Sequence, residues 1–330
     1  MTTFVIIIIA IALIYDFLNG MNDAANSVAT IVATRVLSPF MAVLWAAFFN
    51  FAAYFIFGLQ VANTMGKGIV EPHVVEPWFI FSALVGAALW VYFCTHFGLP
   101  ISVSHSLIGG MVGPAWFVFG PDSVISSGII KVVVFIVVSP LVGFILGYLL
   151  MILTKLLLKK SNPNRVDSWF RGLQLLSSAF FSLGHGSNDA QKTMGIIAVL
   201  LFSTGQLGAE FYVPEWVVIS CYVAIALGTL AGGWKVIKTM GVHLTDLKPV
   251  HGFSAETSGA ITLAMSAFMG IPVSTTHTIS GAIMGVGVTK RVSAVRWSVA
   301  QKIVGAWILT IPMTIIVSGL MYVFIRALVF

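Results

Sequence analysis

Apolar residues in this chain come in unbroken stretches of about 20, the length at which a helix crosses a hydrocarbon core about 30 Å thick. The stretches fall at 3–31, 39–62, 78–97, 99–120 and 129–158, then at 173–205, 214–234, 255–270, 272–289 and 297–325. None alternates with period two, so the strands of a barrel are not indicated. The pattern predicts an all-α polytopic membrane protein with about 10–12 membrane segments. One polar interval, Lys159 to Arg171, interrupts it near the middle. The expected organisation is a first membrane half at 1–158, a short linker at 159–172 and a second membrane half at 173–330.

Composition narrows the class further. Hydrophobic residues make up 58% of the chain and charged residues 8%, whereas a soluble surface needs roughly a quarter to a third charged. A soluble globular protein, a disordered chain and a nucleic-acid binder are all excluded, so the net charge of +6 is not a nucleic-acid patch. Cys94 and Cys221 lie inside apolar runs and form neither a disulfide framework nor a CxxC metal site. No Lys or Arg precedes Arg35, so the N-terminal run reads as a first membrane segment rather than a cleaved signal.

Basic residues favour the cytoplasmic side. With the N-terminus outside, alternate crossings place Arg35, Lys155, Lys159, Lys160, Arg165 and Arg171 inside. Lys235, Lys238, Lys248, Lys290, Arg291, Arg296 and Lys302 follow on the same side, while Glu71, Glu76, Asp122, Glu210 and Glu215 fall outside. Lys67, Lys131 and Arg326 are exceptions, and Lys192 lies within a membrane segment. The linker is therefore expected in the cytoplasm of a multi-pass cell-membrane protein. The first half begins outside and the second inside, so the halves are expected to be inverted. Inverted-topology repeats built from broken transmembrane helices are an architecture of secondary transporters, with sites where the repeats meet.

The halves are also related in sequence. GMNDAANS at 20–27 recurs as GSNDAQKT at 186–193, an offset of 166. GLPISVSHSLIG at 98–109 recurs as GIPVSTTHTISG at 270–281, an offset of 172, with five of twelve positions identical. The segments at 78–120 and 255–289 would enter from opposite faces, each as two full crossings or as a re-entrant hairpin.

Asn22-Asp23 and Asn188-Asp189 lie within apolar spans, where a carboxylate costs at least ~2.5–3.5 kcal/mol. Their hard oxygen ligands suit a small alkali cation or a proton relay. Gly20 and Gly186 are expected to weaken the helix there and open backbone carbonyls towards an ion. In the second motif, Gly-x-Pro breaks a helix and the following hydroxyls cap a new one. The new helix start offers free N–H groups and about +0.5 charge, a terminus that binds anions. Ser104, Ser106, Thr276 and Thr278 can add donors, as can His105 and His277 through either ring nitrogen. Two helix starts supply only about +1, against an oxyanion of roughly −1.5 to −2 and two Asp carboxylates. If both motifs face one cavity, the anion must therefore enter with Na⁺ or H⁺. Each net positive charge moved inward is worth ~2.3 kcal/mol per 100 mV.

At these residues the sequence resembles the PiT family of inorganic phosphate transporters. The resemblance spans nearly the whole chain and rests on both duplicated motifs together. It implies a symporter that imports inorganic phosphate with Na⁺ or H⁺ by alternating access, with no other cofactor, set in membrane lipid as a homodimer. By the same resemblance Asn22, Asp23 and Asn26, with Asn188 and Asp189, hold the cation, and Ser104, His105, Ser106, Thr276, His277 and Thr278 cradle the anion. Ser102, Ser274, Gln191, Lys192 and Glu256 are further candidates. The second Asn-Asp motif continues as Gln191-Lys192-Thr193 where the first has Ala25-Asn26-Ser27, so Asn26 has no Asn counterpart. Lys192 either neutralises part of the site or snorkels, and Glu256 is either a second cation or proton site or an interfacial residue. Asp16 and His185 stay open between site and packing roles. The alternatives are a sulfate permease of the same family, an anion channel and an intramembrane enzyme. The last lacks both a Gly-x-Ser-x-Gly elbow and an HExxH motif.

Overall fold

Polar side chains start the helices. Thr2, Ser38, Ser102, Asn162 and Ser274 each accept a backbone N–H from the first turn of the helix that follows, satisfying donors that an α-helix leaves unpaired. The computed structural model describes residues 2–208, 210–271 and 273–329, and only the backbone of 66, 67 and 72. Pro272 of the second Gly-x-Pro motif and the Lys67 side chain thus lie outside the described residues.

The first half contains α1 (Thr3–Ala33), α2 (Pro39–Ala52), α3 (Gln60–Lys67), α4 (Pro77–Phe97), α5 (Val103–Pro114) and α6 (Ser126–Leu157). The second contains α7 (Pro163–Ser203), α8 (Glu215–Ala231), α9 (Trp234–Lys238), α10 (Pro249–Phe268), α11 (Thr275–Val288) and α12 (Trp297–Val329). Among the described residues α1, α4, α6 and α12 are each long and apolar enough to cross a bilayer alone, and α8 with α9, bent by 64°, make a fifth candidate span. Fewer helices qualify than the ten apolar stretches because α5 and α11 are short and α7 carries polar motifs. At 1.5 Å per residue, the 12 residues of α5 and 14 of α11 cover only about 18–21 Å.

The expected linker is shorter than the polar interval. Only residues 158–162 lie between α6 and α7. The Asn162 cap and Pro163 in the first turn start α7 at once, since proline's fixed φ and missing donor suit that position. Residues 163–172 are thus the polar first turns of a 41-residue helix.

The α4–α5 and α10–α11 segments are built alike. α4 stops at Gly98 and α10 ends just before Gly270, both with left-handed backbone (φ 70° and 64°), where a Cβ would be strained. A short irregular segment follows, and Ser102 or Ser274 caps the restart by accepting the N–H of His105 or His277, each at 3.2 Å. The run after α5 ends with Phe119 against Tyr322, whose hydroxyl donates to Glu76 beside the start of α4. At the other hairpin, Lys290 after α11 donates to the Asp246 carbonyl (2.7 Å), just before α10. Each hairpin therefore ends beside its own start, as one long helix followed by a short one.

Glycines set how closely these elements pack. α11 lies on α6 and α5 on α12. A Cβ on Gly281 or Gly285 would stand 2.1 Å from the Pro140 or Phe144 carbonyl oxygen of α6. The corresponding Gly109 and Gly113 would meet α12 at Thr314 (2.1 Å) and Ser318 (2.3 Å). Such small-xxx-small faces let membrane helices approach to backbone contact. Gly281→Ala should destabilise the fold by about 1–3 kcal/mol through overpacking. A lower melting temperature in detergent, with the same monodisperse elution, checks this.

The same principle corrects the expectation for Gly20 and Gly186. Both α1 and α7 run unbroken through these positions, so no backbone carbonyls open there. A Cβ at Gly20 would lie 2.2 Å from the Ile225 carbonyl oxygen on α8, and one at Gly186 2.4 Å from that of Asn50 on α2. Close helix packing, not helix weakening, explains these glycines.

Candidate functional site

The two Asn-Asp motifs and the two helix restarts converge. Thr276 donates to the Ile101 carbonyl (2.9 Å), joining the start of α11 to the irregular segment before α5. Tyr15 of α1 donates to the Val103 carbonyl (2.7 Å) at the start of α5. Asp23 on α1 and Asp189 on α7 meet at this junction, and both are buried.

Thr275 sits between the two carboxylates. Its hydroxyl lies 2.9 Å from Asp189 Oδ2 and 3.2 Å from Asp23 Oδ2. One hydroxyl carries one proton, so it can donate to only one carboxylate at a time. Thr276 lies 3.1 Å from Asp23 Oδ1, and Asn26 donates to Thr276 (3.0 Å) and Thr275 (3.2 Å). His185 Nε2 stands 3.1 Å from Asp189 Oδ2 and 3.9 Å from Asp23 Oδ2. Oxygen and nitrogen atoms of Asp23, His185 and Asp189 fall within 4.8 Å of one another, close enough to share one cation. Lys192 Nζ reaches Asp189 Oδ1 (2.5 Å), Ser104 Oγ (2.5 Å) and the Val273 carbonyl (2.9 Å).

Other expected residues are placed less centrally. Asn22 donates to Thr95 on α4 (2.7 Å), and Asn188 to the carbonyls of Gly184 (2.9 Å) and, on α10, Leu263 (3.2 Å). These amides tie α1 to α4 and α7 to α10, and their Oδ1 atoms are buried without a hydrogen-bond partner. Ser106 and Thr278 donate to the backbone of their own helices, at Val103 (2.7 Å) and Ser274 (2.9 Å). Ser102 and Ser274 act as caps. Gln191 points away from the Asp pair: its Oε1 accepts from the Val61 and Ala62 amides (3.0 and 3.3 Å). It thereby caps α3, whose own N-cap residue, Leu59, makes no side-chain bond.

The imidazoles of His105 and His277 meet each other with ring centroids 4.9 Å apart. His277 also stacks on Trp307 (3.9 Å), whose indole N–H donates to the Pro100 carbonyl (3.0 Å). The histidines thus fill the seam between the two helix starts and α12. Ser104, which accepts from Lys192, keeps its own proton for an anion, and the first-turn amides of Val103, Ser104, Thr275 and Thr276 lack intrahelical partners. The Thr276 hydroxyl joins them only by releasing the Ile101 carbonyl.

Glu256 forms a separate buried centre. Its carboxylate accepts from Thr30 (2.5 Å), Gln174 (3.0 Å) and Ser177 (2.5 Å), and Gln174 in turn accepts from Thr34 (2.9 Å). Asp16 is a further buried carboxylate, with Thr193 donating to it at 2.9 Å. Thr275 is the central residue that sequence reasoning passed over. Its repeat counterpart is the apolar Val103, so comparison of the two copies gives it no weight.

An all-helical bundle with a charged core between two hairpins is a membrane protein of the transporter class. Residues 19–318 match the phosphate transporter family, and the chain belongs to that family, one of transporters and not of enzymes. It is 57% identical over 315 residues to a probable low-affinity inorganic phosphate transporter of Rhizobium meliloti strain 1021, covering 96% of this chain and 94% of the relative. A protein of the same description from Bacillus subtilis strain 168 is 38% identical over 327 residues, covering 98% of each chain. A solved structure described as the sodium-dependent phosphate transporter superposes with a TM-score of 0.91 at 27% identity, covering 100% of both chains.

Proposed function

We propose that this protein imports inorganic phosphate by symport with Na⁺ or H⁺, with the site between two inverted halves that alternate access to it. Thr275 between two buried carboxylates is the observation that carries this reading. A single hydroxyl proton cannot serve both acids, so the pair calls for a mobile proton or cation. Asp23 and Asp189, with Asn22, Asn26 and Asn188 around them, are the cation groups in this reading. Ser104, Thr276 and the two helix starts receive the anion. His105 and His277 hold those starts together, while Ser106, Thr278, Ser102 and Ser274 stabilise their first turns. Glu256 is the candidate for a second protonatable or cation-binding group. The N-out orientation, the cytoplasmic 158–162 connection, the homodimer and the cell-membrane location belong to the same proposal.

Purified protein in proteoliposomes tests it. An inward Na⁺ or proton gradient should drive labelled phosphate above its equilibrium level, and dissipating that gradient should abolish accumulation. Simple equilibration would identify a channel instead. Excess unlabelled phosphate should compete fully and excess sulfate little; blockade by sulfate but not phosphate would reassign the substrate.

A further inference from the structure

The two halves treat their aspartates differently. Under the offset of 166, Asn19, Asp23 and Asn26 of α1 correspond to His185, Asp189 and Lys192 of α7. Positions four before and three after each Asp share its helix face. On α1 both are neutral amides; on α7 both are basic side chains. Among the described residues no lysine pairs with Asp23 within 4.0 Å, whereas His185 Nε2 stands 3.9 Å from its Oδ2.

We propose that the Lys192 ammonium is a tethered cation in the cation position of the second half, so that only the first half takes up a mobile ion at the Asp pair. This rests on the cation-coupled reading above. Three oxygens surround Nζ: a carboxylate (Asp189), a hydroxyl (Ser104) and a main-chain carbonyl (Val273), at 2.5, 2.5 and 2.9 Å. They come from α7, from the start of α5 and from the irregular segment before α11. Carboxylate, hydroxyl and irregular-backbone carbonyl oxygens are the donor types that hold small cations in transporters of broken-helix design. An ammonium has three N–H donors, and these partners use all of them.

The first half offers a contrast. Asn26, the counterpart of Lys192, spends its amide on Thr275 and Thr276. Asn19 and Asn22, one turn before Asp23 and next to it along α1, keep buried Oδ1 atoms with no hydrogen-bond partner. Unpartnered amide oxygens on the helix that carries Asp23 suit an exchangeable monovalent ion better than a fixed ammonium. Lys192 neutralises Asp189 permanently, whereas Asp23 must be neutralised anew in each cycle. The tethered charge also bridges the halves, because it grips Ser104 of the first hairpin from a helix of the second.

Lys192→Asn, which copies Asn26, tests the assignment in proteoliposomes at fixed pH. Wild-type uptake driven by a Na⁺ or proton gradient tests the symport reading itself. Given that uptake, the order in Na⁺ of labelled-phosphate transport should rise by about one in Lys192→Asn relative to wild type. An unchanged order in an active variant would overturn the tethered-cation role, and a raised phosphate KM with unchanged order would make Lys192 an anion ligand instead. Should Lys192→Asn prove inactive or misfolded, Lys192→Ala supplied with methylammonium provides the second arm. Restored uptake supports the proposal; folded Lys192→Ala that no small cation restores, or failure of both variants to fold even with methylammonium present, contradicts it.

Discussion

Asp23→Asn should reduce concentrative phosphate uptake by roughly 10- to 150-fold while leaving the protein folded. The substitution keeps the side-chain shape and an oxygen for Thr276, which lies 3.1 Å from Asp23 Oδ1. It removes the negative charge that attracts a mobile ion, and a hydrogen bond to a charged group is worth about 1.5–3 kcal/mol, or roughly 10- to 150-fold. Asp189→Asn should also abolish uptake, with a second effect that Asp23→Asn lacks. Lys192 would be left as a buried ammonium without its carboxylate at 2.5 Å, and breaking a buried pair from one side costs about 3–5 kcal/mol. Thermal unfolding in detergent should therefore show Asp189→Asn clearly destabilised and Asp23→Asn close to wild type. Equal melting temperatures for the two variants, or normal uptake in both, would contradict this arrangement.

Thr275→Val carries the second large effect. The change is nearly isosteric and removes the Thr275 hydroxyl, which lies within hydrogen-bond distance of both carboxylates. Asp23 Oδ2 and Asp189 Oδ2 would then face each other across a methyl group, which neither donates to an acid nor ligates an ion. Cation-driven uptake should fall at least ~10-fold, since a bond to a charged group is worth about 1.5–3 kcal/mol. Thr275→Ser should restore most of it. The measurement is the initial rate against cation concentration: loss of activity in Val with rescue in Ser supports the bridging role, and equal rates in Thr, Val and Ser would remove it.

Much of this was legible because two motifs each occur twice in the chain. A single Asn-Asp within an apolar run could be a packing residue, and a single Gly-Pro break could be a kink. Two copies in one order raised the condition that both face one cavity, and Thr276 contacts both Asp23 and Ile101. The same comparison hid what the halves do not share. Thr275 pairs with Val103, His185 with Asn19 and Lys192 with Asn26, so position-by-position likeness favoured the residues that cap helices over those that contact the acids. Ser106 and Thr278 recur in both copies because each secures the first turn of a half-length helix.

Long-range partners were not legible at all. Gln191 follows Asp189 within the motif, yet its side chain serves the unpaired amides at the start of α3, 129 and 130 residues away in sequence. The donors around Glu256 come from α1 and α7, and no local spacing ties them to α10. Gly20 and Gly186 misled for a related reason: glycine within a membrane helix can mean a break or a close neighbour, and the Ile225 and Asn50 carbonyls that decide it lie on other helices.

A crystal soaked in arsenate, a tetrahedral oxyanion with an anomalous signal that phosphate lacks, tests the central claim most directly. One arsenic peak within hydrogen-bond distance of the first-turn amides of both α5 and α11, beside the Asp23–Asp189 pair, is the expected result. A peak remote from both helix starts, or none between them at saturating arsenate, would contradict the shared site.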